Sequence, residues 1–567
     1  MMSFLTKDKF LEQLYRAFLI GPLLLLQLSC VPAQQEAHPG YMTVSVEQKA
    51  SWTKNFNPLS AASGARWPTQ GGIYEPLMIF NSMQDTWVPW LGTSFQWSED
   101  NMQLRYTIRQ NVRWSDGQTF SAEDVVFTFQ LLKQFPALDA GGVWKFLDTV
   151  VSEHPQQVSF RFKKRFVPGL RLLAHQPIVP KHVWGSIENP VAFANPNPVA
   201  TGPFTQVERF ENQIYTLGKN PHYWNADKIN IEGLRFPAYP GNEQANLALL
   251  NDEIDWAGNF VPAIDRIFVQ KDPKHHHYWF PLVGTMVFLY LDTAQPPFNN
   301  LEIRKALSHA IDRDLMVKVA MYNYTKPAYP TGLTEALKSW RNVKAAASMD
   351  WMSHDPQKAR SMLAKQGYEK GRDGTLRHPQ HGPLQLEVMV VSGWSDWVRA
   401  CQVIVQNLKA IGIDARVKTY EFGTWFEKMQ KGHFQGGVAW STEGDSPYSF
   451  YKWLMSPETV KPKEELATAN WHRFGTSEVL APLKVLETDT DPQRRHEAGF
   501  LLQELFAKNF PAIPLFANPA WGAFNSKRFE GFPTKEHPYA RLSPNALPEA
   551  LLVLTQVKTK TKSEPSP

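Results

Sequence analysis

The sequence predicts an α/β protein of several domains, with strands and helices alternating along most of the chain. Three observations predict it. A strand pattern at residues 384–391, an amphipathic helix through Cys401 and a second strand pattern at 413–419 follow one another; that succession implies a parallel crossover unit. A helix beginning at Asp491 runs directly into another apolar strand. The chain has 567 residues, and at about 150 residues per domain this implies three to four domains.

Taken in order, residues 104–108 alternate as a strand and lead into the turn Trp114-Ser115-Asp116-Gly117. Ser121 then caps a helix, with Asp124 at its third position and Val125, Val126 and Phe129 on its apolar face. Asp373-Gly374 and His381-Gly382-Pro383 punctuate a loop before the strand at 384–391. In the following helix Trp397, Ala400, Cys401, Ile404, Val405, Leu408 and Ile411 share one stripe, and the helix ends near Gly412. Residues 437–440 read as a further strand. Asp491 caps a helix with Pro492 at its first position, extending to about Asn509, and a strand at 512–516 follows. Residues 558–567 are charged, contain proline and lack apolar anchors, so they read as a flexible tail.

The first 33 residues are set aside as an export signal. Lys7, Lys9 and Arg16 form a basic stretch before an apolar run of about a dozen residues, too short to span a bilayer as a helix. Leu28-Ser29-Cys30 resembles a lipoprotein cleavage box, although Gln27 stands where an apolar residue is usual, and Val31-Pro32-Ala33 offers an ordinary signal-peptidase site. Both routes stay open: periplasmic, or membrane-anchored and facing the periplasm through a lipid on Cys30. Cys30 and Cys401 are the only cysteines, so no intrachain disulfide survives processing.

Composition narrows the function. A formal charge of +5, with no long basic or acidic block, argues against a nucleic-acid binder. Catalytic and metal patterns are absent: no phosphate-binding loop, no nucleophile elbow, no C-x-x-C pair. His496-Glu497 begins like a zinc-protease helix, but Phe500 replaces the second histidine. Consecutive residues such as His275-His276-His277 point to opposite faces of a strand. Glu487, Asp489 and Asp491 lack the glycine and distal glutamate of a calcium loop. The unusual feature is aromatic content, with 20 Trp, 35 Phe and 17 Tyr. That exceeds core packing needs and implies rings facing a ligand.

One ordered series of segments remains. Ile73-Tyr74-Glu75-Pro76-Leu77 precedes Trp114-Ser115-Asp116-Gly117 and Ser121-Ala122-Glu123-Asp124-Val125-Val126-Phe127. Thr201-Gly202-Pro203-Phe204, Asn220-Pro221-His222-Tyr223-Trp224, Ile303-Arg304-Lys305-Ala306-Leu307, Ala310-Ile311-Asp312-Arg313 and Ile513-Pro514-Leu515 come after. This order resembles the extracellular solute-binding proteins of ABC importers in the peptide/nickel/oligosaccharide family, family 5, over essentially the whole mature chain. Further segments, among them Asn55-Phe56-Asn57-Pro58-Leu59, Lys274-His275-His276-His277-Tyr278-Trp279 and Gly393-Trp394, are similar to the chitooligosaccharide- and cello-oligosaccharide-binding members.

The resemblance implies a two-lobed periplasmic-binding-protein fold with an extra domain enlarging one lobe. Domain I is expected at 41–75, 215–290 and 530–557, domain II at 76–214, and domain III, the second lobe, at 291–529. It implies a monomeric receptor, with no catalytic residue, cofactor or metal, that delivers its ligand to the transmembrane subunits of an ABC permease. Trp394 leads the candidate ligand contacts, since it follows Ser392-Gly393 beyond a strand end and ligands lie outside the carboxyl ends of strands in open α/β sheets. Trp440, Glu443, Asp445 and Tyr448 belong to the loop after the next strand. Lys54, Asn55 and Asn57 match the N-terminal ligand-facing segment, Phe532 follows Gly531 in a closing segment, and Trp67 lies in a loop of the same lobe. The apolar face of a β-linked sugar ring suits indole stacking. A peptide receptor on the same fold is the alternative, because Glu443 and Asp445 offer carboxylates to an ammonium group. An enzyme or sensor that has kept the binding fold is the third reading.

Overall fold

A computed structural model describes residues 39–46, 48–60, 69 and 71–560. The expected export signal with Cys30, the candidate Trp67 and residues 561–567 lie outside that set. The chain from Met42 onward is one unit, and Met1–Tyr41 is a unit of its own.

Two sheets organise the protein. The first has seven strands in the order His276–Tyr278, Ala523–Asn525, Trp256–Ala257, Tyr41–Ser45, Gly233–Pro237, Ile214–Lys219 and Phe204–Glu211. The second has five, in the order Asp414–Tyr420, Gln385–Val391, Gly436–Trp440, Met286–Leu291 and Ile513–Ala517. In the second sheet Gln385–Val391 pairs parallel with both Asp414–Tyr420 and Gly436–Trp440. The helix Ser395–Ala410 makes the crossover, so the expected strand–helix–strand unit is present within a residue or two of its predicted ends. All six residues of Met286–Leu291 are buried, as a central strand covered on both faces requires.

An additional four-stranded antiparallel sheet, Gly92–Trp97, Gln103–Ile108, Gln157–Phe162 and Leu147–His154, enlarges the first lobe. The helix Ala122–Gln134 packs on it and begins as expected: the Ser121 side chain accepts from Glu123 N, and Asp124 Oδ2 accepts from Ser121 N at 3.0 Å. The helix Pro492–Asn509 is likewise capped by Asp491, whose Oδ1 accepts from Arg494 N at 2.8 Å.

Sheet membership does not follow the expected domain bounds residue for residue. Phe204–Glu211 already pairs with Ile214–Lys219, so the chain has rejoined the first sheet before residue 214. The second sheet starts at Met286 rather than 291, and Ala523–Asn525 is back in the first sheet before 529. The chain therefore crosses between lobes at residues 279–285 and 518–522. These two linkers run side by side, joined by Trp279 N to Gly522 O (2.9 Å), Ala520 N to Pro281 O (3.0 Å) and Asn518 N to Thr285 O (2.9 Å). Lys558–Thr559, expected in a flexible tail, instead pairs with Phe529–Glu530. Backbone pairing needs no apolar anchor, which is why composition did not reveal it.

Several ordered segments serve the framework. Arg304, nearly buried, donates to the carbonyls of Phe298, Asn299, Asn509 and Phe510. Arg313 donates to those of Pro514, Ser308, Ile311 and Met352. Each guanidinium thereby gathers carbonyls from loops and from the ends of helices and a strand. Glu75 is fully buried and accepts from Trp90 Nε1 (2.6 Å), Tyr223 OH (3.1 Å) and Trp224 Nε1 (3.2 Å). Burial pushes its carboxyl up to about 7, with these donors only partly offsetting it.

Gly202 shows how tightly the first lobe is packed against this segment. A Cβ there would sit 2.4 Å from Ile73 O and 2.6 Å from Gly72 O, both backbone atoms. Gly202→Ala is expected to destabilise the protein by about 1–3 kcal/mol, the range of an overpacking change. A thermal midpoint equal to that of the parent protein would contradict this packing.

Candidate functional site

A cavity of about 340 Å³ lies between the two lobes, directly on the linkers. Its second-lobe wall is made by two strand ends. Gln385–Val391 turns through Ser392 and Gly393 into Trp394, the residue preceding the helix Ser395–Ala410. The neighbouring parallel strand Gly436–Trp440 ends on Trp440. Both indoles are half-buried, with centroids 6.0 Å apart and planes at 58°.

They belong to a continuous aromatic cluster, of which Trp397 also lines the cavity. Trp397 meets Trp394 edge-on at 4.9 Å, the fully buried Trp425 lies 5.8 Å from Trp394 and 5.4 Å from Trp440, and Phe426 stacks on Trp440 at 6.2 Å and 15°. Trp471 closes the cluster, edge-on to Trp440 at 5.6 Å. Offset and edge-to-face pairs of this kind contribute beyond their buried area, so the second-lobe indoles that line the cavity, Trp394, Trp397 and Trp440, are held by packed rings rather than by loops.

The first-lobe wall is amide-rich. Gln48, Asn242, Asn259 and Asn545 line it, with Phe260, Ser543 and Arg541. Asn545 donates Nδ2 to Gly258 O at 2.8 Å, while its buried Oδ1 has no protein partner. The linkers contribute Gly284, Thr285, Asn518 and Trp521.

Charge enters at two places. Arg541 Nε donates to Glu549 Oε2 at 2.8 Å and Nη1 to Glu443 Oε1 at 3.0 Å, so the guanidinium joins a first-lobe carboxylate to one on the second lobe. Burial alone would lower the Arg541 pKa, but the two carboxylates outweigh it and raise it. Glu549 also accepts from Ser82 Oγ at 2.8 Å, which ties in the extra domain. Asp396, in the first turn of Ser395–Ala410, is 3% exposed and accepts from Asn242 Nδ2 at 3.2 Å. Burial pushes its carboxyl up to about 6, against the opposing effect of backbone hydrogen bonds, Arg399 and Asn242.

Of the residues singled out in the sequence, Trp394, Trp440 and Glu443 line the cavity together. Asp445 is exposed farther along the same loop. Tyr448 is buried in the helix Pro447–Met455, edge-on to Phe166 at 6.0 Å, with its hydroxyl accepting from Lys452 Nζ at 2.8 Å. Lys54 is exposed and Asn55 half-buried, and neither lines the cavity. The Asn57 amide is taken up by Pro190 O (3.0 Å), Phe193 O (2.8 Å) and Leu59 N (2.9 Å). Phe532 is buried and stacks on Phe524 at 4.5 Å. The histidine run diverges: His275 pairs with Asp272, His276 bridges Phe268 O and Asp252, and His277 meets Lys274 O. Sequence reasoning missed Asn242, Asp396, Phe260, Trp521, Asn545 and Arg541. Asp396 alone carried a signal, two positions beyond Trp394.

Two sheet-based lobes, joined by paired linkers and enclosing an aromatic-walled cavity, define a hinged receptor for a small solute. The comparisons specify the family. Residues 86–461 match the model for bacterial extracellular solute-binding proteins, family 5 Middle, and the chain belongs to that family, one of solute-binding proteins and not of enzymes. The nickel-binding periplasmic protein of Escherichia coli is 23% identical over 432 residues, 72% of this chain and 78% of that protein. The glutathione-binding protein GsiB of Salmonella typhi is 24% identical over 452 residues, 78% of this chain and 82% of that protein. Among solved structures, a mannohexaose-bound periplasmic oligopeptide-binding protein of an oligopeptide ABC transporter from Thermotoga maritima superposes with a TM-score of 0.85 at 24% identity, covering 92% of this chain and 99% of its own. The oligopeptide-binding protein AppA from Bacillus subtilis, holding a nonapeptide, gives 0.76 at 18% identity, with 92% and 99% covered. Among the described residues no helix is long and apolar enough to cross a membrane.

The Asp396 carboxyl gives a pH test. A carboxyl raised by folding binds its proton more tightly in the native state, so its stabilising effect is present at low pH and disappears as pH rises through about 6. Stability of the parent protein relative to Asp396→Asn is therefore expected to fall between pH 4 and pH 7, by an amount on the order of 3 kcal/mol. Parallel stability–pH curves for the two proteins would refute the shift.

Proposed function

We propose that this protein is the extracytoplasmic solute-binding component of an ABC importer, and that it takes short β-linked oligosaccharides of the cello- or chitooligosaccharide type. It then acts as a monomer in the periplasm, or anchored to the membrane through Cys30, and hands its ligand to the permease. The observation that carries this reading is the pair Trp394 and Trp440, half-exposed to one cavity and facing a wall of side-chain amides. A pyranose ring presents an apolar face to an indole and hydroxyls around its edge; the amides and the unpaired Asn545 Oδ1 suit those hydroxyls. The cavity volume lies near the lower end of small-ligand sites, roughly 300–1,000 Å³, which suits a short chain. A protein of the same fold holds mannohexaose, so the fold accommodates sugar chains.

The peptide alternative expected from the sequence rests on Glu443 and Asp445; of these Glu443 lines the cavity and Asp445 does not, while Asp396 offers a further carboxylate there. Glu443 and Asp396 already have protein partners, Arg541 and Asn242 respectively. The Glu443 charge is already countered by Arg541, and Asp396 is 3% exposed, so each attracts an ammonium group less than a free, solvated carboxylate does.

A thermal-shift screen of mature protein against cello- and chitooligosaccharides and di- to pentapeptides tests the proposal. A ligand at a hundredfold excess over its Kd stabilises by about 2.7 kcal/mol, so oligosaccharides are expected to raise the melting midpoint. Trp394→Ala is expected to lose that increment, measured from the variant's own unliganded midpoint. Shifts with peptides alone would reject the sugar assignment.

A further inference from the structure

The two lobes also meet at one edge of the cavity, where the segment before the first-lobe helix Asn242–Leu250 touches the segment before the second-lobe helix Ser395–Ala410. Asn242 N donates to Gly393 O at 2.9 Å, and Asn242 Nδ2 reaches Asp396 Oδ1 at 3.2 Å and Ser395 Oγ at 3.3 Å. The backbones approach so closely that a Cβ on Gly393 would lie 2.5 Å from Pro240 O and 3.2 Å from Gly241 Cα. A Cβ on Gly241 would lie 3.3 Å from Gly393 Cα and O.

Conformational freedom does not explain the glycine at 241, because its φ of −163° is extended backbone open to any residue. Gly393 is not among the glycines with positive φ either. What matters is space: a methyl group at Gly393 would run into the opposite lobe, and one at Gly241 would be tight against Gly393 and against Gln244 Oε1 of its own lobe, at 3.3 Å. The atoms they would strike are mainly backbone, which cannot rotate aside.

We propose that Gly241-Asn242 and Gly393-Trp394-Ser395-Asp396 form an interlobe latch, in which paired glycines admit backbone contact and the Asn242 amide secures it beside the Trp394 platform. Gly393 and Asn242 are positioning residues. They act on ligand by fixing the closed arrangement in which Trp394 forms one wall of the cavity. Because Gly393 strikes only the other lobe, a methyl group there opposes closure while each lobe keeps its own packing. The latch does not depend on which ligand the cavity holds.

Disulfide trapping reads closure without a ligand. In the double variant Asn242→Cys/Ser395→Cys, oxidation is expected to link the lobes; Cys401, buried within one lobe, stays out of reach. Adding Gly393→Ala is expected to slow that cross-linking about tenfold or more, while the single variant Gly393→Ala keeps the parent's unliganded melting midpoint. Equal cross-linking rates with and without the methyl group would overturn the latch. So would a large fall in the Gly393→Ala midpoint, since the glycine would then serve its own lobe. In parallel, stopped-flow release of cellotetraose is expected to be about tenfold faster from Gly393→Ala and faster from Asn242→Ala. If cellotetraose fails to bind the parent protein, the sugar assignment falls and the trapping rates alone decide the latch.

Discussion

The paired linkers at 279–285 and 518–522 impose the constraint on which the site depends. They are held to one another by backbone hydrogen bonds at three levels and they supply part of the cavity surface through Gly284, Thr285, Asn518 and Trp521. Bending at these linkers changes the distance between the walls they support. Ligand, hinge and lobe–lobe contact are therefore one mechanical system, as expected for domains closing around a guest.

Part of the tryptophan content serves the second lobe. Trp394, Trp397, Trp425, Trp440 and Trp471 contact one another in sequence, each at an edge-on or tilted angle. Only part of that aromatic mass faces the cavity; the rest keeps the exposed indoles in fixed orientations. Pre-orientation matters because a ligand that has to order its own platform loses that entropy from its binding energy. Other aromatics serve the framework, as Trp90, Tyr223 and Trp224 do around the buried Glu75 carboxylate.

Electrostatics across the cleft follow from burial. Arg541 is nearly inaccessible and lies between Glu549 and Glu443, so separating the lobes removes one of its two carboxylates. Breaking one side of a buried charge pair is costly, whereas an exposed pair contributes little. Glu443 is partly solvated, which moderates the effect. The Asn242–Asp396 contact adds a further lobe–lobe bond at another point on the cavity wall.

Much of this architecture was legible in the amino-acid order. The caps at Ser121 and Asp491, the strand–helix–strand unit around Cys401 and the α/β class rest on residues a few positions apart, and the structure has them within a residue or two. Trp394 and Trp440 were placed at the cavity for the same reason, since one lies three residues past a strand end and the other ends a strand. Asn57, Tyr448 and Phe532 were chosen by position in a likeness, and burial gave them other partners. Arg541 and Glu443 are 98 positions apart and Asn242 and Asp396 are 154, distances at which no periodicity connects residues. Local order thus determined the elements and the rings at their ends, and the meeting of the lobes decided which polar groups face those rings, because hydrogen bonds and charge pairs across a cleft exist only once both walls are in place.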